Sequence, residues 1–185
     1  MTTETGASRS KVREALQRLQ TEGLVVIEEF RGASVRKMSL DEVRQIYRAR
    51  VALEGIAAAD CAGLASPQTK KLLQELQAKL DDCVAKAEAD RFGRLNREWH
   101  SHIIASSNNS YIAEMLERLS IPIYRLVFET FYNAQRLRAA NADHQKITAA
   151  IVANDSVAAE QLMRQHIEDG LVTLTQVDRE FHSGI

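Results

Sequence analysis

The sequence predicts an all-α fold, an antiparallel helical bundle, and three observations support this prediction. The chain has 185 residues but only 2 Pro and 8 Gly, so it contains little material for loops. Its plentiful Ala, Leu, Glu, Arg and Gln are strong helix formers. Apolar residues recur at the helical spacing over most of the chain after residue 38. The predicted connections are short, which makes neighbouring helices antiparallel.

Composition and charge are typical of a soluble cytoplasmic protein. Apolar residues make up 45% and charged residues 26%, and no apolar run reaches the roughly 18 residues of a membrane span. We therefore expect a cytoplasmic protein without membrane contact. Cys61 and Cys83 lack CxxC spacing and are interpreted as small buried apolar residues. Residues 1–50 hold ten Lys or Arg against seven Asp or Glu, a weak indication of nucleic-acid contact.

The N-terminal part is predicted to form a short helix and a hairpin. Apolar residues at helical spacing indicate a helix over residues 10–22, which Ser8 or Ser10 can cap and Gly23 can terminate. The next segments are a strand at 24–27, a turn at 28–32 and a strand at 33–36. Arg31 stands at the tip of this hairpin. A helix followed by such a hairpin is the latter half of a winged helix.

Six further helices are predicted from Ser39 onward. Ser39 and Glu42 have the spacing of a capping box, and Pro67 suits the first turn of the following helix. The helices are expected at residues 39–64, 67–89, 90–106, 110–131, 136–153 and 156–181. We expect a kink at Ile121 and Pro122, because proline interrupts helical hydrogen bonds.

Three histidines stand on the apolar sides of three different predicted helices. His100 shares its helix face with Asn96, which is four residues earlier, while His144 and His166 each lie on an apolar stripe. Three imidazoles and an amide would therefore converge inside the bundle. Neutral imidazole is a common ligand of divalent transition metals, so this set indicates a metal site. The alternative is three separate core histidines, each bonded to a neighbouring carbonyl group.

Motifs in the chain resemble a known family. Three N-terminal segments resemble the DNA-binding domain of GntR-family bacterial repressors; they are SRSKVREAL (8–16), EGLV (22–25) and RGASV (31–35). Further features resemble the helical ligand domain of the FadR branch, called the FCD domain; they are RVALE (50–54), SNN (107–109), His100, His144 and His166. The resemblance covers nearly the whole chain.

This resemblance divides the chain into a head, residues 1–37, and an FCD-like body, residues 38–185. DNA-binding domains of the family begin with a further helix and most of a second, whereas residues 1–7 alone precede the recognition helix here. We therefore expect the head to be a truncated winged helix-turn-helix remnant, from a fragment or a misplaced start codon. The apolar face that Val12 and Leu16 contribute to would then be exposed.

The resemblance implies that the head contacts operator DNA. The helix over residues 10–22 corresponds to the family's recognition helix. Arg9, Ser10 and Arg13 would face the major groove, where Arg can bond guanine bidentately. Arg31 would reach a phosphate or the minor groove, and two heads would act together in a homodimer. The alternative is an ordinary amphipathic helix with solvated charges.

In the FCD family, an Asp and a His four residues apart hold a metal ion together with two later His. The resemblance therefore implies a divalent metal ion held by Asn96, His100, His144 and His166, with Asn96 at the position of the Asp. An amide oxygen is neutral, so we expect weaker metal binding than with a carboxylate. Zn(II), Ni(II) and Mn(II) are all compatible with these donors.

The resemblance also implies a small carboxylate effector beside the metal ion. Arg50 is the first candidate ligand residue because a guanidinium group grips a carboxylate bidentately; the alternative is an ion pair with Glu54. Asn109 is the second candidate, and the alternative is a turn residue with a left-handed backbone. Tyr124 is the third, and the alternative is a plain core tyrosine.

Together these features indicate a ligand-responsive, DNA-binding transcriptional regulator, and by resemblance a repressor, that senses a small organic acid at a metal-containing pocket. One alternative is an effector-sensing or oligomerisation module that does not bind DNA because its head is incomplete. Another is a metal-dependent enzyme, since three His can activate water. The sequence has no HExxH motif, and Glu98 lies on the other side of the helix from His100, so we do not predict an enzyme.

Overall fold

The described chain consists mainly of helices, with one small hairpin near its start. The structure is a computed structural model that describes residues 6–36, 38–120, 123, 127 and 129–182. Its elements are α1 (Arg9–Thr21), β1 (Val25–Glu28), β2 (Gly32–Val35), α2 (Leu40–Leu64), α3 (Pro67–Lys86), α4 (Ala89–Ser106), α5 (Ser110–Ser120), α6 (Ala134–Val152) and α7 (Ser156–His182). The all-α bundle predicted from the sequence is confirmed.

Capping side chains begin the helices where the sequence predicts. The Ser8 hydroxyl accepts a hydrogen bond from the backbone N–H of Lys11 at the start of α1. Ser39 and Glu42 form a reciprocal capping box at the start of α2, which satisfies two backbone N–H groups that have no partner within the helix. Pro67 occupies the first turn of α3, where its missing N–H costs nothing.

The head has local structure but no buried residue. β1 and β2 pair antiparallel; Phe30 in the turn between them and Gly32 at the start of β2 have φ values of 66° and 84°. None of residues 6–36 is buried, and Val12 and Leu16 on the apolar face of α1 are partly exposed. The expected exposure of this face therefore holds in the structure.

The body is organised around α2, which packs along α7 and also contacts α4, α5 and α6. Large side chains from the helices around it fill the core, among them Leu73, Leu76, Leu80, Phe92, Trp99, Ile103, Ile147 and Met163. The fourth predicted helix of the body is α5, which ends at Ser120. The kink expected at Ile121 and Pro122 lies outside the described residues.

A hydrogen-bonded network links α3 to α6 inside this core. Gln77 Nε2 donates to Asp81 Oδ1 at 2.9 Å, and Asn141 Nδ2 donates to the same oxygen at 2.7 Å. Close by, Trp99 Nε1 donates to Thr148 Oγ1 at 3.0 Å. Because buried polar groups cost free energy unless they are bonded, this network fixes the relative positions of α3, α4 and α6.

Candidate metal centre and effector cavity

Three histidines from three helices meet near the centre of the body. His100 lies on α4, His144 on α6 and His166 on α7, and one ring nitrogen of each lies within 4.8 Å of the others. His144 Nε2 and His166 Nε2 are 3.2 Å apart. Two nitrogens bound to one ion at about 2.1 Å lie roughly 3.0–3.4 Å apart at tetrahedral or octahedral angles. This cluster could therefore hold one metal ion.

Carboxylates face the other ring nitrogens of two of these imidazoles. His100 Nδ1 lies 2.7 Å from Glu54 Oε2, and His166 Nδ1 lies 3.5 Å from Asp143 Oδ2. A carboxylate that accepts from Nδ1–H leaves Nε2 with its lone pair available to a metal ion. Neither carboxylate was predicted from the sequence. The RVALE segment indicates a partner for Arg50 only, and no local signal connects Glu54 to a histidine 46 residues later.

The carboxylate of Glu54 is buried and charged. Arg50 Nε and Nη2 lie 2.8 and 2.7 Å from Glu54 Oε1, while Oε2 faces His100. Burial raises the pKa of Glu54, but attraction to Arg50 and His100 outweighs burial and lowers the pKa to about 2. The ion pair offered as the alternative role of Arg50 is therefore present.

Burial keeps the two innermost imidazoles neutral. Loss of solvent lowers the pKa of His166 to about 4, although its contact with Asp143 acts in the opposite direction. Burial is the main cause that lowers the pKa of His144 well below its usual value, and the nearby His166 and His100 lower this pKa further. A metal ion binds neutral imidazole, so at neutral pH these two rings need not lose a proton first.

Two buried polar atoms at the cluster have no hydrogen-bond partner among the described residues. They are Asn96 Oδ1 and His144 Nδ1. Asn96 lies one helical turn before His100 and is 8% exposed. A buried carbonyl oxygen without a partner is unfavourable unless another group bonds to it. A cation, or water bound to a cation, would supply that bond, so the amide oxygen of Asn96 could be a fourth donor beside the three imidazoles.

The single tryptophan of the chain packs against the cluster. The centroid of the Trp99 ring lies 4.4 Å from that of His144 and 4.9 Å from that of His100. Its hydrogen bond to Thr148 holds the indole in this position. The tryptophan is therefore a built-in reporter of any change at the histidines.

A cavity of about 580 Å³ adjoins the cluster on the side of His100. Arg50 and Glu54 of α2 and Asn96 and His100 of α4 all line it. Leu24, which joins α1 to β1 in the head, lines the same cavity. A small molecule in this space would therefore touch the cluster, the arginine and the head.

The other two residues predicted to bind the effector are Asn109 and Tyr124. Asn109 Oδ1 accepts from the backbone N–H of Ile112 at 3.1 Å, which caps α5, and Asn109 is not among the described residues that line the cavity. The left-handed backbone expected at Asn109 belongs instead to Asn108, at φ 56°. Tyr124 lies outside the described residues.

The four predicted DNA-contacting residues are exposed on the head. Arg9, Ser10 and Arg13 stand in the first turns of α1, where all three are open to solvent. Arg31 lies in the turn of the hairpin, and its side chain is 83% exposed, with a long contact of 3.5 Å to Glu28. Their charges are therefore accessible to a polyanion.

A basic helix-and-hairpin head joined to a helical body with an internal cavity defines a class, that of ligand-responsive transcriptional regulators. The FCD domain family matches residues 45–169. The repressor GlaR of Escherichia coli K12 is 31% identical over 164 residues, which cover 84% of this chain and 74% of GlaR. This chain belongs to the GntR family of helix-turn-helix transcriptional regulators, in its FCD-containing branch. The prediction from the motifs is thereby confirmed.

Solved structures show the same fold. The structure of McbR/YncC of E. coli superposes with a TM-score of 0.81 at 25% identity, covering 89% of this chain and 83% of that one. A GntR regulator from Rhodococcus sp. RHA1 gives a TM-score of 0.74 at 27% identity, covering 95% and 84%. These relatives are regulators and not enzymes, in line with the predicted class. None of the described helices has the length and apolar character to cross a membrane.

Proposed function

We propose that this chain is a DNA-binding repressor that holds one divalent metal ion and senses a small carboxylate beside it. His100, His144 and His166 would bind the ion, with Asn96 as the fourth donor. The observation that carries this proposal is that His100 belongs both to the cluster and to the wall of the cavity, which Asn96, one helical turn earlier, also lines. A molecule in the cavity would therefore reach the open side of the ion.

The bound ion, Zn(II), Ni(II) or Mn(II), would supply positive charge and an open coordination position for a carboxylate. The residues of the chain prepare this position. Glu54 and Asp143 orient two imidazoles with Nε2 free, and burial keeps the inner rings neutral. Asn96 adds no negative charge, so it leaves the charge of the ion less compensated than an Asp would, which favours an anionic ligand.

Arg50 is the proposed second contact of the effector carboxylate. It lines the cavity, and its ion pair with Glu54 fixes the guanidinium group from one side. An incoming carboxylate would share this group with Glu54. Tyr124 and Asn109 stay predictions for the same ligand.

The proposed signal passes from the cavity to the head by two contacts. Leu24 of the head lines the cavity, and Arg36, directly after β2, forms an ion pair with Glu42 in the first turn of α2. The same helix carries Arg50 and Glu54. A ligand that binds one arrangement of these contacts more tightly than another shifts the head between two positions.

Operator binding is proposed for Arg9, Ser10, Arg13 and Arg31, acting in a homodimer. GntR-family regulators bind operator DNA, and exposed arginines at a helix N-terminus suit guanine and phosphate. An effector-sensing or oligomerisation module without DNA binding is the second candidate, favoured by the absence of buried residues in 6–36. A mobility-shift assay on operator DNA separates the two: the Arg9→Ala, Arg13→Ala double variant should lose binding that the unchanged chain has.

Metal binding is tested by titrating Zn²⁺ into metal-free protein and following Trp99 fluorescence. We expect saturation at one ion per chain, because the indole contacts two of the proposed ligand rings. His166→Ala should weaken the affinity by a factor of roughly ten to a thousand. His102→Ala is the matched control, since His102 is partly exposed and stands outside the cluster. Equal affinities for the two variants would refute the metal site.

A further inference from the structure

The two sides of the cavity differ in chemistry. The polar side comes from α2 and α4 and presents Arg50, Asn96 and His100. The opposite side comes from α5 and the residues after it. Its apolar lining residues, among those described, are Ala113, Leu116, Ile123, Val127 and Phe131.

The positive charge in the described lining comes from the α2 and α4 side, as Arg50 and Arg97, although Glu54 on that side is an acid. The charged side chain that α5 contributes to the lining is Glu117, an acid. A second carboxylate at the far end of a ligand would approach this acid and the apolar residues around Leu116. A hydroxyl group placed against these apolar residues, away from Glu117 and Ser120, would lose its hydrogen bonds to water, and each such loss weakens binding by about tenfold. The apolar residues described on this side therefore disfavour both dicarboxylic and polyhydroxylated acids.

The volume of the cavity also bears on the size of the ligand. Pockets of about 300–1,000 Å³ enclose drug-sized molecules, and about 580 Å³ lies within that range. An acid of two or three carbons would leave most of the apolar lining without contact. Covering Leu116, Ile123 and Phe131 requires an apolar group of several carbon atoms, and each buried methylene strengthens binding by severalfold.

We propose that the effector of this chain is an amphipathic acid, with one carboxylate and an aromatic or branched aliphatic body. The carboxylate lies at Arg50 and the candidate metal centre, and the body contacts Leu116, Val127 and Phe131. The inference rests on the proposed function, because the carboxylate end uses the metal-bearing side of the cavity. It adds the class of the ligand, which the metal centre alone does not determine.

The test uses zinc-loaded protein, desalted so that free Zn²⁺ does not bind the acids in solution. Isothermal titration calorimetry compares phenylacetate and 4-methylpentanoate with gluconate and glutarate. We expect the first pair to bind at least tenfold more tightly than the second. Gluconate or glutarate binding as tightly as phenylacetate, or no binding by any of the four, overturns the inference. Failure of Zn²⁺ to bind at all would instead refute the proposed function.

Two matched variants test where the apolar body of the ligand lies in the cavity. Val127→Thr keeps the side-chain volume but exchanges a methyl group for a hydroxyl on the apolar side of the cavity. We expect it to weaken phenylacetate binding about threefold to tenfold while the Zn²⁺ affinity stays unchanged. Val157→Thr makes the same exchange at a position that is 67% exposed on α7, and should change neither affinity. Equal phenylacetate affinities for the two variants would contradict the proposed position of the ligand body.

Discussion

The head and the body each contain an Arg–Glu pair four residues apart on a helix, and the two pairs have different surroundings. Arg18 in the last turn of α1 and Glu22, the residue that caps its C-terminus, are 3.2 Å apart, with side chains 83% and 33% exposed. Arg50 and Glu54 in α2 are 2.7 Å apart, with side chains 10% and 2% exposed. The sequence spacing is identical, but burial turns the second pair into part of a site. Tertiary context therefore decides what the motif does.

The same contrast holds for whole regions. The head forms α1 and a hairpin by local signals, and none of residues 6–36 is buried. The body brings α2, α4, α6 and α7 together, and only there do polar side chains become costly unless they are bonded. The candidate metal centre lies in the body, where burial would remove the competition from water.

The largest expected effect follows from removing the buried carboxylate. Glu54→Ala leaves Arg50 buried without its partner and removes the carboxylate that faces His100, so we expect a loss of about 3–5 kcal/mol in the free energy of unfolding. Glu22→Ala removes the matched carboxylate in the head and should change stability little, because exposed pairs contribute little. Urea denaturation measures both. Similar losses in the free energy of unfolding for the two variants would show that both pairs contribute equally to stability.

The difference between these pairs also marks what the sequence could predict. Helix positions and caps follow from local spacing, and the family follows from the resemblance of short motifs; the structure bears out the all-α fold and the capping box at Ser39. The sequence also indicates which histidines lie on inner helix faces. The contact of Glu54 with His100 and that of Asp143 with His166 could not be predicted, because each depends on how two distant helices pack.

Acid should destabilise the metal-free body more than the head. His144 and His166 have pKa values below the usual 6.5, about 4 for His166, so the unfolded chain binds more protons than the folded one between those pH values. Stability should therefore fall as the pH decreases from about 6.5 to 4, by on the order of 3 kcal/mol for His166. Urea denaturation of metal-free protein across this range checks it, and a flat profile would contradict the neutral, buried state of these rings.

A smaller effect is expected for the partner of the tryptophan. Thr148→Val leaves Trp99 Nε1 without its hydrogen bond in the core, which should cost about 1–2 kcal/mol. The indole would also become less fixed against His144, so its fluorescence response to Zn²⁺ should decrease. Thr173→Val on α7 is the control, since the Thr173 hydroxyl donates to the backbone carbonyl of Asp169 in its own helix. If Thr148→Val responded to Zn²⁺ as strongly as the unchanged protein, the indole of Trp99 would not report on the histidine cluster.

The smallest effect concerns the contact between the two regions. Leu24→Ala shortens the side chain with which the head lines the cavity, so trypsin should cleave the head a few times faster. The body should keep its free energy of unfolding to within about 0.5 kcal/mol, since Leu24 lies outside the core. Val26→Ala changes a neighbouring strand residue that does not line the cavity and serves as the control. If trypsin cleaved both variants at the same rate, Leu24 would have no part in the proposed transmission of the signal.

The most direct measurement is a crystal structure of zinc-loaded protein with anomalous scattering recorded at the zinc edge. One anomalous peak per chain is expected, with His100, His144 and His166 bound at about 2.0–2.1 Å and Asn96 Oδ1 or a water molecule completing the site. A bundle with its histidines bonded only to one another and to Glu54 and Asp143, and with zinc absent or on the surface, would contradict the account.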